Sequence, residues 1–218
     1  VKRIFYDFLG LNTELFLTIN HATNYGYLPF FLKYLASFFH FTCFIPYLLI
    51  ASLIAFNDIK KSPNILKKDK FFSHSLLIAK PSLNYALFIA IYTFLKYTVN
   101  LPRPYCSLEA SAFHTIHNFD GERCLSSFPS AHSALALIIS FYLWPYLNNY
   151  LKAGAIVTVF LVGLARISLA MHYPADIVYG ILIGIITILI TDKLYIIYKT
   201  SIFLPIIQFV YKLIGKYI

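Results

Sequence analysis

Charge is what this sequence lacks most. Only 12% of its 218 residues are charged, against about 25% in a soluble domain. That scarcity, beside 59% hydrophobic and 18% aromatic content, excludes an ordinary soluble fold and implies an integral membrane protein. Acids are scarcer still, with nine Asp and Glu against eighteen Lys and Arg. There is no Gly-rich phosphate loop, no His-Glu-x-x-His and no paired-Cys zinc pattern, so P-loop and zinc chemistry have no support. Internal repeats, low-complexity tracts and the inverted halves of a transporter are absent too. At this length a single membrane-embedded domain, 1–218, is expected.

The net charge of +9 is unevenly spread. Lys60, Lys61, Lys67, Lys68 and Lys70 crowd one polar stretch, Lys193 and Lys199 follow the last long apolar run, and Lys212 and Lys216 lie in the tail. Basic groups at span ends argue against a nucleic-acid partner and for cytoplasmic loops. No cleavable signal peptide is expected at Val1-Lys2-Arg3.

A spanning helix needs about 20 mostly apolar residues. Ser37–Phe56, Lys80–Asn100, Ala131–Tyr146, Leu151–Ala170 and Pro174–Ile190 qualify. The expected fold is therefore all-α, a polytopic bundle of five transmembrane helices with amphipathic interfacial helices beside it. Ile4–Asn20 carries Asp7, Asn12 and Glu14; it reads as a helix on the outer surface, with a sixth span as the alternative. The tail, 202–218, sets Gln208, Lys212 and Lys216 on one helical face, an interfacial pattern. Lysine-rich Asn57–Lys70, Asn148–Lys152 and Asp192–Lys199 read as cytoplasmic connections, and by alternation Leu101–Phe128 and Met171–Tyr173 fall on the opposite face. Lys80 reads as a snorkelling side chain.

Three motifs converge on that outer face. The first is Lys96-Tyr-Thr-Val-Asn-Leu-Pro-Arg103-Pro104, the second Pro129-Ser130-Ala131-His132, the third Arg166-Ile-Ser-Leu-Ala-Met-His172-Tyr-Pro-Ala-Asp176. Ionisable groups kept beside apolar spans are functional candidates. Lys96, Arg103 and Arg166 around two imidazoles suit a phosphate, since guanidinium forks match its oxygens. Pro102 and Pro104 imply that the first helix ends between Lys96 and Arg103. Ser130, Ala131 and neighbouring N–H groups would open a helix whose positive end faces an anion. His172 and Asp176, four residues apart, suit a carboxylate that fixes an imidazole tautomer, leaving the other nitrogen free to attack phosphorus. His132 could then protonate the leaving oxygen.

Other residues are less telling. His114 and His117, with Glu109, Asp120 and Glu122 nearby, read as a solvated loop, with a metal site or substrate contact as the alternative; the sequence assigns no role to His21, His40 or His74. Cys43 reads as an inert core residue. Cys106 and Cys124 bracket the loop between the first two motifs. In an oxidising compartment they can pair, stabilising by about 3 kcal/mol on the chain-entropy model; two free thiols is the alternative.

Together the motifs resemble the type 2 phosphatidic acid phosphatase superfamily, whose pattern is Lys-x6-Arg-Pro, Pro-Ser-Gly-His and Ser-Arg-x5-His-x3-Asp. The resemblance covers Lys96–Asp176, with Ala131 in place of the usual Gly and Ala165 in place of the usual Ser. It implies a metal-independent hydrolase without cofactor. Lys96, Arg103, Ser130, Ala131 and Arg166 would bind phosphate, His172 would become a phosphohistidine, His132 would be the general acid and Asp176 would orient His172. The implied partners are the bilayer and a membrane lipid phosphate. The best expectation is undecaprenyl diphosphate at the outer face of a bacterial cytoplasmic membrane. Phosphatidylglycerophosphate or lipid A phosphatases, or a lipid phosphotransferase, are the alternatives.

Overall fold

A computed structural model describes residues 6–215, and among them every regular element is helical. The principal helices are α1 (Leu11–Thr23), α2 (Leu28–Ser37), α3 (Phe44–Lys61), α4 (Asn64–Val99), α5 (Ala131–Leu143), α6 (Asn149–Ser168), α7 (Pro174–Tyr198) and α8 (Leu204–Ile214). Expectations resting on Lys2, Arg3, Ile4 and Lys216 lie outside the described residues.

Four helical segments are long and apolar enough to cross a membrane: Phe41–Lys61, Asn64–Ser107, Asn149–Ser168 and Pro174–Ile214. The expected span Ala131–Tyr146 is shorter than anticipated. It is a helix of 13 residues followed by a 3-10 turn at Trp144–Tyr146. At 1.5 Å per residue the α-helical part covers only about 20 Å of a roughly 30 Å hydrocarbon core. The Lys-rich stretch 57–70 is not an open loop: only Ser62 and Pro63 separate α3 from α4. Asp192–Lys199 is likewise helical, within α7 and the π-turn Lys199–Phe203 that leads into α8. Lysine promotes helix well, so charge alone did not mark these junctions.

The chain divides into two compact units. The first holds residues up to Phe41 with Ala90–Ile185; the second holds Thr42–Ile89 with residues from Ile186 onward.

In the first unit, α6 packs against α1, α2 and α5. Phe16, Phe113, Ile167, Ala170, Tyr173 and Ile177 form one buried cluster, and Leu32, Ala36 and Ala165 another. α5 and α7 approach closely at Gly180 and Gly184, a small-xxx-small pair. A Cβ at Gly180 would collide with the Ser130 carbonyl, and one at Gly184 would lie 3.3 Å from the Ala134 carbonyl. That contact sets the start of α5 against the first turns of α7.

α1 does more than lie on a surface. Asn12 is buried and its Oδ1 accepts the Ala175 N–H at 2.9 Å, satisfying a donor in the first turn of α7. Asn20 is fully buried; its amide donates to the carbonyls of His114, Ile167 and Ser168 at 2.9, 3.1 and 3.2 Å. Asn24 adds a bond to the Ser168 carbonyl at 2.9 Å. Asparagines therefore tie α1 to the end of α6, where exposed carbonyls need donors.

In the second unit, Ile59, Phe71 and Ile207 form the core, and Phe44 stacks on Tyr85 with centroids 4.3 Å apart. Its two charged clusters among the helices are paired. Asp58 meets Lys70 and His74, each at 2.9 Å. Lys80, expected to snorkel, instead meets Asp192 at 2.8 Å, one helical turn from an Asn84–Thr191 hydrogen bond of 3.0 Å. Ile45, Leu49, Leu53 and Ile54 of α3 are 55 to 67% exposed, an outward apolar face suited to lipid.

Candidate active site

All three motifs sit at one end of the first unit's helices, because α4 and α6 end there and α5 and α7 begin there. Local geometry explains each position. α4 stops at Val99, where Asn100 takes a left-handed φ of +48° and its side-chain amide donates to the Tyr97 carbonyl at 2.9 Å. Lys96 therefore lies in the last turn, and Arg103 follows in extended chain between two prolines. α6 ends at Ser168, and Ala170 reverses the chain at φ +53°. This conformation costs an alanine about 1–2 kcal/mol. It lets the N–H groups of Met171 and His172 both donate to the Arg166 carbonyl, at 3.0 and 3.2 Å. His172 is thereby folded back beside Arg166, and Pro174 starts α7 two residues later.

The cations are buried. Lys96, Arg103 and Arg166 are 7, 8 and 7% exposed, and His172 is 2%. Lys96 Nζ makes long contacts to the carbonyls of Ser127 and Pro129, at 3.4 and 3.3 Å, and lies 5.2 Å from the Tyr92 ring centre. Arg103 donates to Ser126 Oγ at 3.0 Å and to Met171 Sδ at 3.2 Å, and reaches Glu122 at 3.4 Å. Arg166 Nε is buried without a hydrogen-bond partner among the described residues. A buried guanidinium N–H left unbonded is costly, so an anion is wanted at that position.

His172 is pushed well below the usual imidazole value, first by burial and then by the charges of Lys96, Arg166, Arg103 and His132. Those same charges show that the three motifs surround one point. The ring is neutral at neutral pH, so a nitrogen lone pair is free for attack. His132 stands half-buried in the first turn of α5, its ring centre 5.5 Å from that of His40.

The expected Asp176–His172 hydrogen bond is not formed. Asp176 Oδ2 lies 3.6 Å from His172 Nδ1, beyond hydrogen-bonding range. That oxygen already accepts from Ser127 Oγ at 2.5 Å and the Tyr173 N–H at 2.8 Å, while Oδ1 accepts from Tyr6 at 2.8 Å. Ser130 also departs from expectation. Its N–H donates to the Asp176 carbonyl at 3.1 Å, and its hydroxyl pairs with Ser133 at 3.1 Å. The N–H groups of Ala131 and the following first-turn residues have no carbonyl partner within the helix, as at any helix start.

Several contributors were not singled out in the sequence. Tyr6 reaches Asp176 across 170 positions, and burial followed by the Asp176 charge raises its phenol, keeping it a donor. No spacing rule links such distant residues. Ser126 and Ser127, both buried, precede the second motif directly; hydroxyls so near a phosphate motif were the available signal. Glu122 approaches both Arg103 and His117, the latter at 3.5 Å, so part of the loop read as solvated belongs to the site. His117 is pushed down by burial and then by Arg166, with Glu122 opposing. His114 and His21 remain outside it; His21 bonds the Ala112 carbonyl at 3.0 Å. Cys106 and Cys124 form a disulfide, with Cα atoms 5.8 Å apart, that closes this loop at its base.

The model of the PAP2 superfamily matches residues 79–198, more than half the chain and all three motifs. The chain belongs to the PAP2 superfamily. Its fold is similar to that of LpxE from Aquifex aeolicus, seen in a crystal structure. The TM-score is 0.60 and the identity 30%, covering 84% of this chain and 95% of that one. A comparison with curated proteins gave no match. With its apolar helices and this fold, the PAP2 protein is a membrane lipid phosphatase.

Proposed function

We propose that this phosphatase removes phosphate from a lipid monoester or diphosphate through a phosphohistidine on His172. The unpartnered, buried Nε of Arg166 beside a neutral His172 carries the reading. In the proposed sequence, Lys96, Arg103, Arg166 and the first-turn N–H groups of α5 hold the phosphate oxygens. His172 Nε2 attacks phosphorus as the bond to the leaving oxygen breaks, and His132, protonated once the phosphate's negative charge is bound beside it, gives that oxygen its proton. Water then attacks the phosphohistidine; His132 takes its proton, and inorganic phosphate leaves with His172 restored. Asp176 holds the Nδ1 side of the ring after a small rotation closes the 3.6 Å gap, stabilising the charge that develops on phosphorylation. Ser130 supports the cradle through its hydroxyl pair with Ser133.

The three cations supply charge neutralisation with protein groups alone, which favours a metal-independent reaction. Undecaprenyl diphosphate is the substrate we favour, with phosphatidylglycerophosphate and lipid A phosphates as the competing lipids. The lysines gather where α4 begins, whereas Lys96 lies in its last turn. By the positive-inside rule that supports a site at the outer face of a bacterial cytoplasmic membrane.

Purified protein should release phosphate from one of these lipids in mixed micelles, with full activity in a chelator. Activity lost in chelator and regained with a divalent ion would overturn the metal-free reaction. Release from none of the lipids would overturn the substrate class.

A further inference from the structure

Glu122 is the only carboxylate within ion-pair distance of the Arg103 guanidinium among the described residues, with Oε2 3.4 Å from Nη1. Its other oxygen, Oε1, lies 3.5 Å from His117 Nε2. Both contacts are longer than a charge-assisted hydrogen bond of about 2.7–2.9 Å, so the carboxylate is near the cations without being locked to them. It is carried by a short turn whose tip is exposed and whose base is fixed. Asn118 Oδ1 accepts the Asp120 N–H at 3.0 Å, Gly121 takes φ +77°, and the Glu122 N–H donates to the Phe119 carbonyl at 2.9 Å, forming a tight turn. Asn118, Asp120 and Gly121 at its tip are exposed. The base is anchored twice, by the Cys106–Cys124 disulfide and by the Arg103 N–H donating to the Cys124 carbonyl at 2.9 Å. A carboxylate on a short exposed turn, fixed at its base beside three buried cations, resembles an anion in the substrate's place.

We infer that Glu122 is the resident counter-ion of the empty phosphate site, and that the substrate's phosphate displaces it from Arg103. This rests on the phosphatase reading above and adds a competitor within the chain. While the site is empty, the carboxylate offsets part of the repulsion among Lys96, Arg103 and Arg166. When a phosphate arrives, its negative charge repels the nearby carboxylate and competes with it for Arg103, and the turn carries Glu122 outward. On release, the carboxylate returns and helps to expel inorganic phosphate. Glu122 is therefore a determinant of anion affinity and product release, and takes no part in bond breaking.

The test uses the full-length protein in detergent and measures inorganic phosphate binding directly by calorimetry, beside inhibition of lipid turnover by phosphate. Glu122→Gln should bind phosphate about tenfold more tightly, a change of roughly 1.4 kcal/mol. Its KM should fall, and kcat should fall too where product release limits turnover. Glu122→Asp, one methylene shorter, should lie between wild type and Glu122→Gln. Both variants should keep the wild-type melting temperature within a few degrees, because the residue is partly exposed. Unchanged or weaker phosphate binding in Glu122→Gln would overturn the counter-ion role. A wild-type protein that binds no phosphate and hydrolyses none of the lipids would instead remove the phosphatase reading itself.

Discussion

The two units handle charge in opposite ways. In the second, Asp58 satisfies Lys70 and His74, and Asp192 satisfies Lys80. Those side chains keep roughly a third or more of their surface exposed. In the first, three cations are more than nine-tenths buried, yet among the described residues Glu122 alone approaches Arg103 and the Nε of Arg166 has no hydrogen-bond partner. Paired, half-exposed charges are what folding alone selects, since exposed pairs contribute little and cost little. Buried cations short of anions are destabilising by themselves and persist where a ligand completes them. The contrast separates structural from functional charge without reference to any motif.

The contrast can be broken from either side. Arg166→Lys keeps the charge but removes the planar fork, and should lower kcat/KM by about 100-fold. A wild-type rate would mean that guanidinium geometry is irrelevant there. Lys96→Gln removes the strongest charge acting against protonation of His172, so the imidazole value rises and the acid limb of kcat/KM moves to higher pH. A limb that stayed in place, or moved down, would detach Lys96 from His172. Tyr6→Phe deletes the hydrogen bond that the Tyr6 hydroxyl donates to Asp176 Oδ1. It should reduce kcat about tenfold with KM unchanged, as expected for a hydrogen bond to a charged group that positions without touching substrate. A change confined to KM would place Tyr6 in lipid binding instead. Asp192→Asn, in the second unit, should leave kcat and KM as they are and lower the melting temperature by only a few degrees. A large loss of turnover would erase the distinction between the units.

Much of this site was legible in the sequence because its chemistry is local. Lys96 to Arg103, Ser130 to His132 and Arg166 to Asp176 each lie within one helix end and its turn, so spacing and helix-breaking residues placed them. Long apolar runs disclosed the helical class for the same reason. The supporting contacts were not legible. Tyr6–Asp176, Asn20–Ile167 and Arg103–Glu122 join residues that no periodicity relates. Helix ends in 57–70 and 192–199 were missed because lysine and aspartate there continue a helix while also marking a membrane boundary. The length of α5 was overestimated because Trp144-Pro145-Tyr146 is apolar enough to extend a hydropathy run yet turns into a 3-10 helix.

In the proposed reaction a neutral, buried His172 takes the phosphate covalently while three cations hold it. The most direct measurement is rapid quenching of the enzyme with a lipid labelled in its transferable phosphate, followed by peptide mapping. An acid-labile, base-stable label should appear on the peptide bearing His172, formed within the first turnover and missing from His172→Ala. Label on another residue, or turnover by His172→Ala without any labelled peptide, would contradict it.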